Sequence, residues 1–272
     1  MANLRSSASN YFFLLTFLGA YGIITNMVIT FIGTGCGVPS KVRGSPSILL
    51  SLDHENILFD TGPGSLRELL KAGYTYNDID HIFYTHFHVD HISDLAPFIF
   101  ASKYPLAPRR RDVNIVAPRG IKKFWDRLSV LYGEQLIPSL YSINILTPEE
   151  FIPNGWKLKT AQLPHTEESI GYRVEKGEKV FVYSGDTGYS EELIELGKNA
   201  DALVLECSFP QEVQGHLYPQ LAGRVARECN AKLLLLTHIY PVMKEEEIIT
   251  EIGKEFGGQF IVARDGMRVE IG

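Results

Sequence analysis

Hydrophobic positions along the chain fall into short β-branched runs punctuated by turn residues. From Met27, MVITFIGTG is apolar and β-branched, GVPSKVRGSP has loop chemistry, and SILLSL and NILFD are two further strand-like runs. Asp60-Thr61-Gly62-Pro63-Gly64 then breaks the pattern. SLRELLKAG follows with leucines at helical spacing, Ser65 as its expected cap and Gly73 as its stop. HIFYTH reads as a buried strand. The same grammar returns later: KVFVYSGDTG runs into Asp186, SEELIELGKN reads as a capped helix, and ALVLECSF and KLLLLTH as continuous apolar strands. Asp-Thr-Gly therefore occurs twice, and so does an apolar strand closed by Thr-His, at Thr85-His86 and Thr237-His238. The repetition predicts one α+β domain of two related β-rich halves with helices outside, a four-layer αββα sandwich whose strand ends meet at one edge.

The domain is expected to occupy residues 27–272. Residues 1–26 do not resemble it, because Tyr11 to Ile24 is almost wholly apolar. A signal peptide would want a small-residue cleavage site, which Thr25-Asn26-Met27 does not supply. A membrane anchor needs about 20 apolar residues, a length reached only by borrowing Val28 to Ile32 from the first strand. Met27 reads instead as a natural start after an over-extended beginning, with export or membrane anchorage as the competing readings.

At 272 residues, with 45% hydrophobic and 21% charged, the composition is that of an ordinary globular chain. A net charge of −6 argues against holding nucleic acid by a general positive field. The basic run Arg109-Arg110-Arg111 reads as a solvated loop, its alternative being a phosphate contact to which Lys122 and Lys123 would add. Three widely spaced cysteines with no CxxC pairing indicate neither a disulfide framework nor a thiolate zinc site, and fit a reducing, cytoplasmic compartment.

Histidine carries the chemistry. His86-Phe87-His88-Val89-Asp90-His91 leaves a strand end through a short loop, where four metal-binding side chains would be costly to bury without a partner. His86 and His88 can face one ion, and Asp90 and His91 another. His165 in LPHT, Asp186 in YSGDTG and His238 in LLLLTHIY each stand where an apolar strand gives way to a loop. Taken singly, each is ambiguous, a lone strand-end histidine being more often a hydrogen-bonded surface group than a ligand. His54 and His81 look like loop or strand-edge residues and receive no role.

The order His-x-His-x-Asp-His, then His, Asp and His, is similar to the metallo-β-lactamase superfamily, and the flanks resemble its ribonuclease Z branch. Phe31 to Pro39 resembles the opening loop of that branch, Phe59-Asp60-Thr61-Gly62 the turn whose aspartate supports a ligand, and Tyr183 to Thr187 its bridging-aspartate segment. The resemblance implies a metallo-β-lactamase sandwich with His86, His88 and His165 on one ion, Asp90, His91 and His238 on the other, and Asp186 between them. Two ions about 3.5–4 Å apart acidify water and clamp the oxygens of an in-line displacement. The implied reaction is phosphodiester hydrolysis by attack of a bridging hydroxide, with Asp90 able to orient the water. The donor set takes two divalent ions, zinc first, with manganese or iron(II) also accepted. Asp60 would hold an imidazole N–H. Glu206-Cys207-Ser208-Phe209 with Gly215-His216-Leu217 resembles the segment in which a glutamate orients a proton-donating histidine, which makes His216 the general acid and Glu206 its partner. Without the resemblance, His216 reads as a residue ahead of the helix PQLAGRVAREC. Dimers are frequent in the branch, which implies a homodimer.

Two departures narrow the substrate. Where the tRNA-processing enzymes carry a long arm, Gly171 to Val180 turns through Lys176-Gly177-Glu178 alone, a hairpin. His238 is followed by Ile239-Tyr240-Pro241 and not by a Ser-x-Arg-Tyr-like continuation. The expected substrate is thus a phosphodiester, with RNA and tRNA 3′-end cleavage among the candidates. Competing readings keep the site and change the ester to a thioester, lactone or sulfate ester, or make the ions a brace in a binding module. Redox chemistry at two irons would want a flavin domain, which this sequence does not contain.

Overall fold

The computed structural model describes residues 27–271, so the expectations for segment 1–26 lie outside the described residues. The chain runs β1 (Met27–Gly33), β2 (Ser47–Leu52), β3 (Glu55–Phe59), α1 (Ser65–Lys71), β4 (His81–Phe83), α2 (Val89–Ile92), α3 (Leu95–Ser102), β5 (Val113–Val116), α4 (Ile121–Tyr132) and β6 (Ile143–Leu146). It continues through β7 (Lys157–Gln162), β8 (Ile170–Lys176), β9 (Lys179–Tyr183), α5 (Glu191–Gly197), β10 (Ala202–Glu206), α6 (Pro219–Glu228), β11 (Leu233–Thr237), α7 (Glu245–Glu255), β12 (Gln259–Val262) and β13 (Arg268–Ile271). A seven-stranded sheet has the order β13-β1-β2-β3-β4-β5-β6 and a six-stranded sheet the order β12-β11-β10-β9-β8-β7.

Three apolar cores make four layers of these elements. The central one lies between the sheets and joins Ile57, Phe59 and Phe83 to Phe181, Tyr183, Val204 and Leu235. Alternate residues of the same strands point the other way: Leu58 and Ile82 meet the helices of the first half, and Leu203, Leu205 and Leu236 those of the second. Burial on both faces is why these strands read as continuous apolar runs rather than alternating ones. The αββα sandwich expected from the repeat is the observed arrangement.

Parallel pairing sets the position of everything chemical. β3 and β4 run parallel in one sheet, and β9, β10 and β11 in the other. Their carboxyl ends therefore open on one edge, the usual place for a site in a sheet of parallel strands. At that edge the backbone packs closely, both within the first half and between the halves. A Cβ at Gly62 would lie 2.0 Å from the Asp90 carbonyl oxygen, and one at Gly185, whose φ is +59°, 2.6 Å from the Thr85 side chain.

Several local expectations change. Ser65 is the first helical residue of α1 and makes no capping bond; the Leu66 N–H is satisfied from afar by Asp94 Oδ2 at 3.0 Å. Ser190 does cap α5, accepting from Leu193 N–H, and the left-handed Gly73 follows α1 as its stop. His81 is no strand-edge residue: it is buried in β4 against Phe151 and Trp156. Arg109 is not solvated either. It is 1% exposed, and its guanidinium donates to the carbonyls of Arg111, Tyr76 and Asp112 at 2.5–2.8 Å. Arg111 pairs with Asp80 at 2.8 Å and Lys122 with Glu150 at 2.5 Å, so these three cations are engaged within the fold. Among the described residues no helix is long and apolar enough to cross a membrane.

Arg109→Ala would leave three carbonyls without a donor and a void beside Tyr141. The expected loss is about 2–4 kcal/mol in urea unfolding, with metal uptake by the folded variant unchanged.

Candidate metal centre

Each chemical residue sits just past a strand end. Asp60 follows β3. His86 and His88 follow β4, and the single turn α2 turns Asp90 and His91 back toward them. His165 lies after β7, Asp186 after β9, Glu206 ends β10, and His238 follows β11. His238 has a left-handed φ of +56°, uncommon for a non-glycine residue. The Ile239 N–H bonded to the Thr34 carbonyl at 2.9 Å holds the chain there.

The side chains converge in two groups. His86, His88, His165 and Asp186 offer ligand atoms within 4.8 Å of one another, and so do Asp90, His91 and His238. Asp186 faces both. Its Oδ1 is 3.4 Å from His91 Nε2 and 3.3 Å from His238 Nε2, while Oδ2 is 3.8 Å from His165 Nε2. Every residue expected as a ligand is thus in the cluster, including the three distant in sequence.

The outward nitrogens show which way the rings are set. His91 Nδ1 lies 2.8 Å from Asp60 Oδ2, His86 Nδ1 3.0 Å from Thr85 Oγ1, His238 Nδ1 2.9 Å from Ser208 Oγ, and His165 Nδ1 3.0 Å from the Gly215 carbonyl. An acceptor at Nδ1 fixes the proton there and leaves the Nε2 lone pair facing inward. Asp60 and the Gly215 carbonyl are acceptors outright. Thr85 Oγ1 becomes one because its own proton goes to Asp60, and Ser208 Oγ because its proton goes to Glu206. Asp60 also accepts from the Thr85 N–H at 2.9 Å and from the Tyr183 hydroxyl at 3.0 Å, so one buried carboxylate ties the two sheets together beneath the cluster.

Inward, the partners run out. His86 Nε2, His91 Nε2, His238 Nε2 and Asp186 Oδ1 are buried with no hydrogen bond among the described residues. Such groups are expensive to leave bare, and neutral imidazole with carboxylate is the donor chemistry of divalent cations. The residues present therefore fit a metal. The local field agrees. Burial works against charge on His91, yet Asp186 and Asp60 outweigh it and hold the imidazole well above its ordinary range. Burial pushes the Asp90 carboxyl up, but His238 and His91 prevail and bring it to about 2. His86, desolvated and facing other histidines, falls to about 2 and is neutral.

Beside the cluster, Glu206 is fully buried and accepts from the Thr187 N–H at 2.7 Å and from Ser208 Oγ. His216 Nδ1 lies 3.0 and 3.2 Å from its two oxygens. Burial disfavours charge on His216, but the hydrogen bond and charge of Glu206 outweigh it, so the imidazole keeps its proton above the ordinary histidine range. Its ring centroid is 4.7 Å from that of His165. Thr85 and Ser208 escape sequence reasoning. Their only signal in the chain is adjacency, Thr85 preceding the first histidine and Ser208 lying two residues after Glu206.

The fold and this centre define a metal-dependent hydrolase, and similarity to known proteins gives the lineage. Residues 55–239 match the family model of the beta-lactamase superfamily domain, and the chain belongs to that superfamily. Its curated relatives include the ribonuclease Z of Archaeoglobus fulgidus, 28% identical over 89% of this chain and 97% of that protein. Another is the ribonuclease Z of Streptomyces coelicolor, 28% identical over 88% and 96%. Among solved structures, the metallo-beta-lactamase fold protein YhfI of Bacillus subtilis superimposes with a TM-score of 0.79 at 25% identity, covering 90% of this chain and 99% of that one. Human tRNase Z, short form, shares the fold with a TM-score of 0.72 at 24% identity, over 90% and 100%. Within the superfamily the chain is a divalent-metal-dependent hydrolase of the ribonuclease Z type.

Ser208→Ala removes the acceptor that orients His238 without touching a ligand atom. A roughly 10–100-fold loss of metal affinity is expected, read by competition with a chromogenic chelator; unchanged affinity would refute the positioning role.

Proposed function

We propose that the chain hydrolyses a phosphodiester, with RNA as the substrate class, at a centre for two divalent ions. His86, His88 and His165 would hold one ion, Asp90, His91 and His238 the other, and Asp186 would lie between them. Zinc suits this set of imidazoles and carboxylates. When bound, such a pair supplies Lewis acidity toward the phosphoryl oxygens and water acidic enough to act as nucleophile near neutral pH. The observation that carries the reading is the set of four buried inward atoms, on His86, His91, His238 and Asp186, that no group among the described residues satisfies.

The remaining steps belong to the chain's own side chains. Asp90, ionised down to about pH 2, accepts a hydrogen bond from the attacking water and so orients it. Asp60 and Ser208 fix the tautomers of His91 and His238. His216 keeps Nδ1–H on Glu206 and offers its Nε2 proton to the departing alkoxide, which could not leave unprotonated at useful rates. Glu206 acts through His216 and is a positioning residue. A hydrolase of thioesters would have less need of this donor, because a thiolate departs readily without it.

The relatives named ribonuclease Z support RNA as substrate. Here β8 and β9 are joined by Gly177-Glu178 alone, with Lys176 paired to Lys179. No arm projects between them, which favours a short grip around the scissile phosphate over an extended hold on a folded RNA.

Turnover of bis(p-nitrophenyl) phosphate is expected, and its abolition by chelator and by His88→Ala; full turnover in metal-free protein would end the proposal. His216→Ala should cost about 10²–10⁴-fold with an alkoxide leaving group and far less with p-nitrophenolate, which needs no proton. With an alkoxide leaving group the reaction requires protonated His216, so kcat on such a substrate should fall as pH rises through its elevated pKa. Glu206→Gln removes the charge that elevates it and should move that alkaline limb to lower pH; an unmoved limb would exclude the pair as proton donor.

A further inference from the structure

Beyond the metal groups the chain turns through Ile239-Tyr240-Pro241, a segment the chemistry above does not use. The Tyr240 ring is half-buried, 5.7 Å from the His238 ring, and packs against Phe209 at 4.5 Å with a 31° tilt. Phe209 in turn stands edge-on to His216 at 5.2 Å. A strip of rings thus runs from the proton donor to the last histidine of the metal centre. Tyr240 also lines a cleft of ≈ 490 Å³ with Val42 and Met243 as its accessible apolar residues and Ile239 and Ile248 buried behind them. That volume lies within the range of small-molecule sites.

The charges around the cleft are satisfied among themselves. Glu245 accepts from Arg264 at 2.9 and 3.0 Å and lies 3.9 Å from Arg43. Arg43 donates to Thr34 Oγ1 at 2.7 Å and to the Ala263 carbonyl at 2.6 Å. Asp265 accepts from Thr34 N–H, Thr34 Oγ1 and Gly44 N–H. Among the described residues lining the cleft, no cation is left over for a second phosphate and no anion for an ammonium group. An uncharged, flat occupant suits Val42, Met243 and the face of Tyr240.

We propose that this cleft receives the nucleobase adjoining the scissile phosphodiester, with Tyr240 as its stacking residue. The inference rests on the phosphodiesterase reading and extends it to the group beside the reacting phosphate. Stacking on a ring face tolerates any base, so the subsite would confer preference for nucleotidyl esters over simple ones without reading sequence.

Two esters with the same leaving group isolate the effect: thymidine 5′-(p-nitrophenyl phosphate) and methyl p-nitrophenyl phosphate. Wild-type protein should favour the thymidine ester by roughly tenfold or more in kcat/KM. Tyr240→Ala should bring that ratio close to one, and Tyr240→Phe, which keeps the ring, should retain it. Val42→Asp, at a position 78% exposed and tolerant of a charge, should also depress the ratio by placing an unpaired carboxylate at the cleft. Saturation-transfer NMR with thymidine reads the same stacking without turnover. Equal kcat/KM for both esters in wild type, or an equal loss for both in Tyr240→Ala, would overturn the subsite. A saturation-transfer signal that thymidine gives with wild type and not with Tyr240→Ala, in a protein that hydrolyses neither ester, would support the cleft and refute the hydrolysis. Absence of both signal and turnover would refute the two together.

Discussion

Lone pairs that face one another in a dry interior repel unless something positive comes between them, and the edge of this sandwich is built around that constraint. Three imidazole nitrogens and a carboxylate oxygen point inward with no donor among the described residues, while their outward sides are anchored by Asp60, Thr85 and Ser208. The anchoring makes the arrangement rigid: each ring is held in the tautomer that presents a lone pair, so collapse onto a neighbouring hydrogen bond is denied. What remains is a demand for cationic charge at the inward atoms.

The fold supplies this rigidity through parallel strand ends. Asp60 receives donors from Thr85 beyond β4 and from Tyr183 at the end of β9, one from each sheet. The halves can come so close at Gly185 because a side chain there, which glycine lacks, would strike Thr85, while Gly62 lets the turn after β3 lie against the Asp90 carbonyl within the first half. The duplicated Asp-Thr-Gly thus marks two places with different duties. The first aspartate orients the His91 ring, and the second faces both groups of side chains.

Glu206 links the centre to His216. Through Ser208 it reaches His238, and directly it holds His216. A single buried carboxylate thereby sets the orientation of a ring in the metal centre and of the ring proposed to protonate the leaving group. The aromatic strip beyond it continues the same wall outward to the cleft at Tyr240. The proposed donor and the base subsite would then share one aromatic wall.

The layered αββα plan and the near cluster are legible in the chain because both rest on local spacing: apolar runs of strand length, and candidate ligands at positions 86, 88, 90 and 91 too close in the chain to diverge. His165, Asp186 and His238 are legible as strand-end residues in the right order, and their convergence depends on resemblance until the sheets bring them together. Thr85, Ser208 and the cleft come from three-dimensional packing. A hydroxyl is a common residue whose partner is chosen by its neighbours in space, and the cleft assembles segments near 42, 240 and 264 that no spacing connects. Arg109 and His81 depart from their sequence expectations for the same reason: charge and polarity are written in the chain, but burial is a property of what the rest of the chain folds around them.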